Sequence, residues 1–306
     1  MEKFQKLEHL DQEAMPARRA RTYILHVGPL PDARQSAAES DLQKRPEIRL
    51  IVRGNTVQIV MRVQEQLILQ GLWPVKLRWN DPSLASESEW ELLGRCRRPE
   101  AQYLEIEQKL PPFGRVNRQI IFVPRDQLVL ITEAIYRDHG DSAWAEPLEH
   151  SVSLPLAGGV RWEGNGEPAE GFLVSGRRLA RVAALSVPEW CPRGFSGPFA
   201  AEPGWLRHDC QSRSPRWQLS FVFDLSPRRW RFPCVCRRLT VTEQKVVQPP
   251  EAAVAYRWQI GRAQWVYYRS LAKPAGRAFF GQHLRSETFL GRVDYDKGCQ
   301  LILEVT

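Results

Sequence analysis

Short runs of apolar residues, separated by tight turns, repeat along this chain. The clearest case is Ala253–Ile260, followed by Gly261-Arg262 and then by Ala263–Leu271. Two apolar and aromatic runs around a short turn that contains glycine are typical of a β-hairpin. The same pattern recurs in two further pairs of runs, Arg118–Val123 with Leu128–Ile135 and Thr288–Tyr295 with Gln300–Val305. These patterns predict a mostly β protein.

Further strand candidates follow one another from Glu47 onwards. They are Ile48–Arg53, Thr56–Val63, Pro74–Trp79, Trp90–Cys96, Gln102–Leu110, Glu149–Pro155, Gly171–Leu185, Gln218–Leu225 and Arg237–Val247. In Gln102–Leu110, apolar and polar residues alternate, which predicts a strand with one packed face and one solvent-exposed face. Many short strands, with no long amphipathic helical period, predict an all-β fold: a large antiparallel β-sandwich that resembles a supersandwich.

The predicted sandwich does not include the whole chain. Residues 1–47 are expected to form a short irregular or helical N-terminal arm and a loop, with a strand candidate at Tyr23–Val27. Residues 48–306 are expected to form the sandwich, and a division into two halves near residues 146–171 stays open. The Pro-, Gly- and Ser-rich passage Pro188–Pro215 is predicted to be irregular and to be a functional loop.

Composition narrows the class of protein. A chain of 306 residues that is 43% hydrophobic is long enough to bury a core. Its formal net charge of +8 comes mainly from dispersed arginines, which attract polyanions without identifying one. Because this attraction is non-specific, the net charge alone does not indicate nucleic acid, which we treat as a disfavoured partner. No apolar stretch is long enough to span a bilayer and the N-terminus lacks the plan of a secretory signal, so we expect no membrane partner and, by default, a cytoplasmic location.

Three runs carry a resemblance to a known family: Tyr103–Glu107, Arg118–Phe122 and Leu128–Ala134. They resemble the β-sandwich of heparinase II/III-type polysaccharide lyases, in which an alternating strand precedes an Arg-x-Ile/Val-x-Phe strand and a strand that ends in an acidic residue. The later runs Tyr256–Gln259, Trp265–Arg269 and Phe289–Arg292 are similar to the end of such a sandwich. The likeness covers roughly residues 48–306, and any large sandwich could show its motifs.

The resemblance does not extend to the catalytic residues of these lyases. Lyases of this family place their catalytic Tyr and His largely with an α-helical toroid before the sandwich, and this sequence has no room for that toroid. We therefore carry over no catalytic residue. What the resemblance implies is a non-catalytic sandwich, related to the part of the lyases that closes over the polysaccharide.

Two pairs of residues have a spacing that suits a metal ion. His208 and Cys210 are two apart, as are Cys234 and Cys236, so each pair would share one face of a strand. If the two segments lie side by side, the four side chains could ligate zinc. Ordinary packed side chains are the favoured alternative, with reduced thiols and no cofactor, because six cysteines are too few for a disulfide scaffold.

The late hairpin offers a candidate ligand surface. Trp265, Tyr267 and Arg269 share one face of a predicted strand, and Arg257 lies on the preceding strand. An aromatic ring can stack on a sugar while a guanidinium binds a carboxylate or sulfate. The competing interpretation, which we favour, is that this ladder packs against a second sheet.

Three functions stay open at this stage. The first is a non-catalytic, carbohydrate-associated sandwich that binds an acidic polysaccharide. The second is a protein-interaction or scaffold module whose partner is another protein. The third is a polysaccharide lyase-like enzyme, although no specific catalytic motif accompanies the strands. We rank the first function narrowly above the second.

Overall fold

The computed structural model describes residues 20–26, 46–78, 88–138, 147–165, 169–187 and 199–306. Strands account for most of these residues, and the only helical element among them is a single 3₁₀ turn, Pro227–Arg229. The all-β prediction is confirmed. Most of the predicted N-terminal arm, at residues 1–19 and 27–45, lies outside the described residues.

The strands are short and follow one another through tight turns. The first thirteen are β1 Arg21–His26, β2 Glu47–Arg53, β3 Thr56–Val63, β4 Gln66–Leu72, β5 Val75–Arg78, β6 Trp90–Arg97, β7 Gln102–Leu110, β8 Gly114–Val123, β9 Leu128–Arg137, β10 Leu148–Pro155, β11 Arg161–Gly164, β12 Glu170–Ser175 and β13 Arg177–Ala184. The remaining twelve are β14 Phe199–Glu202, β15 Trp205–Ser212, β16 Arg216–Asp224, β17 Cys234–Arg238, β18 Thr242–Glu243, β19 Val246–Val247, β20 Ala253–Ile260, β21 Ala263–Ser270, β22 Arg277–Phe279, β23 Gln282–Leu284, β24 Thr288–Asp294 and β25 Gly298–Val305.

Five sheets organise these strands. The central sheet has eight strands in the order β11-β12-β13-β16-β9-β8-β7-β6. An N-terminal sheet, β1-β2-β3-β4, and a flanking sheet, β14-β15-β10-β5, have four strands each. The C-terminal sheet has the order β17-β20-β21-β24-β25, and a small cap sheet has the order β19-β18-β22-β23. All the paired strands whose registers the structure gives are antiparallel.

The sheets stack in layers because alternate residues of the central strands enter different cores. Phe122 packs with the N-terminal and flanking sheets, whereas its neighbour Ile121 packs with the C-terminal sheet. A third, smaller core, which includes Val266 and Phe279, joins the C-terminal sheet to the cap sheet. The layered sandwich predicted from the sequence is thus confirmed. The central sheet takes strands from both sides of residues 146–171.

Two local predictions were wrong. The strand at Gln102–Leu110 is buried on both faces over most of its length, because sheets cover the central sheet on either side. Its polar residues Gln102, Glu105 and Gln108 are buried, and Lys109 near its end is exposed. The passage Pro188–Pro215 is not wholly irregular, since it contains β14 and β15, which pair with each other. Its residues 188–198, which include two of the three glycines of the expected loop, lie outside the described residues.

Candidate functional site

The aromatic and Arg ladder of the late hairpin lies between two sheets. Trp265 and Tyr267 of β21 are fully buried and face the central sheet. The indole Nε1 of Trp265 donates to Asp126 Oδ2 at 2.7 Å, and the Tyr267 hydroxyl donates to Gln119 Oε1 at 3.0 Å. Burial raises the pKa of Tyr267 to about 12. Each polar tip therefore has a partner on the facing sheet, as buried polar groups require.

Arg269 continues the same ladder and is also buried. Its Nη2 donates to Glu105 Oε1 at 2.7 Å and to Asn117 Oδ1 at 3.1 Å. Burial alone would raise the pKa of the Glu105 carboxyl, but Arg269 and the hydroxyl of Tyr103 act more strongly together and lower it. The pair is a charge-assisted contact between the two sheets.

These positions rule out the candidate ligand surface and agree with the favoured interpretation, in which the ladder packs against a second sheet. Trp265, Tyr267 and Arg269 hold the C-terminal sheet on the central sheet, so no ligand in solvent can reach them. Arg257 does not join them, because its register partner on β21 is Val266, which faces the opposite side. Of the four predicted residues, only Arg257 lies on an accessible surface.

On that opposite side Arg257 lines an open groove, which we call the outer groove. Its cavity volume is about 280 Å³, and its lining consists of Pro233, Val235, Arg237, Arg257, Gln259 and Gly261. The register of β17 with β20 places Arg237 directly across from Arg257, and Val235 across from Gln259. Side chains directly opposite each other in a sheet lie about 5 Å apart at Cβ, so the two guanidiniums can contact one ligand.

The charges of the outer groove have no acidic partner among the described residues. Neither Arg237 nor Arg257 forms an ion pair with any residue in the described part of the chain. Arg257 Nη2 donates to Gln259 Oε1 at 3.0 Å, which orients both side chains. Two adjacent cations without a carboxylate repel each other, and an anion placed between them would relieve that repulsion.

Two partly exposed phenylalanines flank the outer groove. The Phe280 ring lies 5.9 Å from Arg257 Cζ, and the Phe232 ring packs over Gly261. Both rings are 38% exposed. The sequence analysis missed Arg237, Gln259 and these two rings. The alternation of Tyr256 and Trp258 with Arg257 and Gln259 is the signal that could have separated the outward face from the inward one.

The predicted zinc ligands do not come together. His208 and Cys210 lie on β15 of the flanking sheet, whereas Cys234 and Cys236 lie on β17 of the C-terminal sheet. The two pairs pack on opposite faces of the central sheet, so one ion cannot bind all four residues. Within the described residues no cluster of three or more His, Cys, Asp or Glu side chains is arranged to hold a metal ion.

A buried charged cluster lies in the core on the other face of the central sheet. Arg118 Nε donates to Glu133 Oε2 at 2.6 Å, and His150 Nε2 lies 2.8 Å from Glu133 Oε1. Because the indole of Trp217 can only donate, its contact of 3.0 Å with His150 Nδ1 makes that nitrogen an acceptor. Nε2 is therefore the nitrogen of His150 that donates to Glu133. The side chains of Arg118, Glu133 and His150 are fully buried, so the cluster serves the fold and not a ligand in solvent.

Comparison with solved structures finds this layered sandwich in polysaccharide lyases. A heparinase III with methylated lysines aligns with a TM-score of 0.50 and 8% identity over 84% of this chain and 43% of that one. Another heparinase III gives 0.49, with 7% identity, over 82% and 41% of the two chains. A mutant of the heparan sulfate lyase HepC from Pedobacter heparinus gives 0.48, with 7% identity, over 74% and 40%.

At such low identity the likeness concerns the fold alone. The fold resemblance to the heparinase II/III sandwich, inferred from the strand motifs, is confirmed. The chain spans about two fifths of the length of these solved structures. No family model and no curated protein matches the sequence. Among the described residues there is no helix with the length and apolarity that crossing a membrane demands.

Proposed function

We propose that this chain is a carbohydrate-associated sandwich that binds an acidic polysaccharide in the outer groove without cleaving it. The observation that carries the proposal is the cross-strand pair Arg237 and Arg257, which share the groove and have no carboxylate partner among the described residues. Forked guanidiniums bind carboxylates and sulfates through paired, charge-assisted hydrogen bonds.

The other groove residues suit a sugar chain. The Gln259 side chain offers an amide to hydroxyl groups, and the exposed rings of Phe232 and Phe280 offer apolar faces on which a pyranose ring can stack. The six lining residues include no carboxylate, imidazole or phenol. This lining supports binding rather than cleavage, because proton transfer in the groove would need such a group.

The test measures binding of a soluble uronic-acid polymer at low and at moderate salt, beside a neutral polymer of similar length. We expect binding of the acidic polymer only, weakening as salt screens the guanidiniums. Replacing Arg237 and Arg257 by Gln should weaken binding at least tenfold, since a hydrogen bond to a charged group contributes about 1.5 kcal/mol or more. The control is the double variant Arg21→Gln/Arg53→Gln, two exposed arginines on the N-terminal sheet, which packs on the opposite face of the central sheet.

Three results would contradict the proposal. Equal losses in the groove variant and the control would reduce binding to non-specific electrostatics. Formation of unsaturated product, seen by its ultraviolet absorbance, would indicate a lyase. No binding at low salt would favour the protein-interaction module.

One observation favours that second candidate. The hairpin of β18 and β19 presents Val246 and Val247, each 64% exposed, at the edge of the cap sheet. Exposed β-branched residues on an edge strand can pair with a strand of another protein. Co-purification of a protein partner that is lost in Val246→Lys, with no glycan binding, would support this function instead.

A further inference from the structure

The two cysteines of β17 form a close pair. Cys234 and Cys236 point to the inner side of the strand, and their Sγ atoms are 3.8 Å apart. Both residues are half-buried, and their side chains pack against the core between the central and C-terminal sheets, so a reagent reaches the thiols at the open edge of β17. Among the described residues, strand β17 lies at the edge of the C-terminal sheet and pairs with β20 alone. An edge strand can bend more easily than a central strand, because it breaks fewer hydrogen bonds when it does so.

The surroundings of this pair favour the protonated form of Cys234. The hydrogen bond with Cys236 and burial raise the pKa of Cys234 well above its ordinary value, and Arg181 opposes this rise. Arg181 is itself buried and forms an ion pair with Glu170, with its Nε 3.3 Å from Glu170 Oε1, and the Glu170 carboxylate adds to the rise. The Arg181 charge favours the thiolate of Cys234, which is the form that attacks a disulfide.

We propose that Cys234 and Cys236 form a site of reversible disulfide formation, with a low-molecular-weight disulfide as the oxidant. The thiolate of one cysteine attacks the oxidant, forms a mixed disulfide and releases one thiol. The second cysteine then displaces the other half of the oxidant. Two thiols lose two protons and two electrons, and one small disulfide becomes two small thiols.

Closing this disulfide changes the shape of β17. Residues two apart on an extended strand are separated by about 6.4 to 6.8 Å at Cα, the upper end of what a disulfide spans. The Sγ atoms must also approach from 3.8 Å to about 2 Å. The oxidised strand is therefore shorter and puckered. Val235 and Arg237, on the other face of the same strand, line the outer groove, so oxidation should displace one of its two arginines.

The first experiment tests the site without any glycan. The full chain is incubated with oxidised glutathione, the remaining thiols are alkylated, and the peptides are identified by mass spectrometry. We expect the peptide with Cys234 and Cys236 to lose two hydrogen atoms, and a reducing agent to restore it. In Cys236→Ser, the mixed disulfide should persist on Cys234. The control Cys299→Ser leaves the pair intact and should behave as the natural chain does.

The outcome that overturns the proposal is a natural chain in which both cysteines stay alkylated as free thiols, or in which both carry glutathione. The coupling to the outer groove rests on the proposed function and is measured separately. Oxidation should change the affinity for the acidic polymer at least threefold in the natural chain and leave it unchanged in the double variant Cys234→Ser/Cys236→Ser. An unchanged affinity in the oxidised natural chain would refute the coupling alone, and absent binding in the reduced chain would refute the proposed function alone.

Discussion

The buried carboxylate of Glu133 shows how a charged side chain is accommodated in the core of this protein, through hydrogen bonds and an ion pair with its neighbours. Glu133 accepts from both Arg118 and His150, while Arg118 also donates to the backbone oxygen of Trp73. Burial alone would raise the pKa of Glu133, but these partners lower it below its ordinary value. Leaving one partner of such a pair alone in the core costs more than losing the contact itself.

Replacing Glu133 by Gln should therefore destabilise the fold strongly. The substitution leaves the Arg118 guanidinium buried without its counter-charge, which costs about 3 to 5 kcal/mol. Urea unfolding at neutral pH would measure the loss. The matched control is Glu163→Gln, whose ion pair with Arg161 is exposed and should contribute less than about 1 kcal/mol. Similar losses in the two variants would contradict the account of the buried pair.

His208 predicts a pH dependence of stability. Burial lowers the pKa of His208 from 6.5 to about 3 in the folded protein, and its Nε2 has no partner among the described residues. Between these values the unfolded chain binds a proton that the folded chain does not. Stability should therefore fall as pH decreases from about 6.5, with a slope that approaches about 1.4 kcal/mol per pH unit.

The variant His208→Gln removes this titration. Urea unfolding between pH 4.5 and 6.5 should show a shallower slope in the variant than in the natural protein, with His283→Gln, a histidine on the small cap sheet, as the control. Equal slopes in the natural protein and in His208→Gln would mean that the imidazole is not held neutral by burial.

At the scale of strands, the hairpins could be predicted from sequence, but the faces that they bury could not. The turn at Gly261-Arg262 and the alternation of the flanking residues locate β20 and β21 within one residue of their ends. Alternation in Gln102–Leu110 indicates two different faces, and solvent is the usual second face. In this structure the C-terminal sheet, not solvent, lies against the second face. Glu105 forms an ion pair with Arg269, which lies more than 150 positions later in the sequence. No local pattern carries that information.

The start of β8 requires a glycine for a steric reason. Gly114 has a φ of +149°, and a Cβ atom built on it would lie 2.0 Å from the backbone oxygen of Tyr136 on the neighbouring strand. Gly114→Ala should therefore separate β8 from β9 locally and cost about 3 kcal/mol. Gly54→Ala is the matched control, because its φ is +56° and no atom lies within 4 Å of the added Cβ; it should cost about 1 to 2 kcal/mol. Equal costs in urea unfolding would show that the contact with Tyr136 relaxes freely.

At the scale of the whole molecule, the net charge follows from composition, and the spacing of the strands predicts the class of fold. The order of the layers depends instead on contacts between residues that are distant in sequence. The aromatic ladder of β21 shows the consequence. A surface ladder and an internal ladder have the same sequence pattern, and only the position of the central sheet decides between them. The outer groove depends on the same contacts, because it lies on the face of the C-terminal sheet that the central sheet leaves open.

Because the central sheet contributes to two cores, we propose that the layers of residues 48–306 unfold as one unit. Ile121 and Phe122 are neighbours on β8 that face opposite cores. Ile121→Val and Phe122→Leu should each cost about 1 kcal/mol and should shift one shared transition, seen at the same urea concentration by far-ultraviolet circular dichroism and by tryptophan fluorescence. If each variant instead moved only one of two separable transitions, the sandwich would consist of two independently stable halves. A single shared shift would mean that the central sheet and the sheets on both of its faces unfold together.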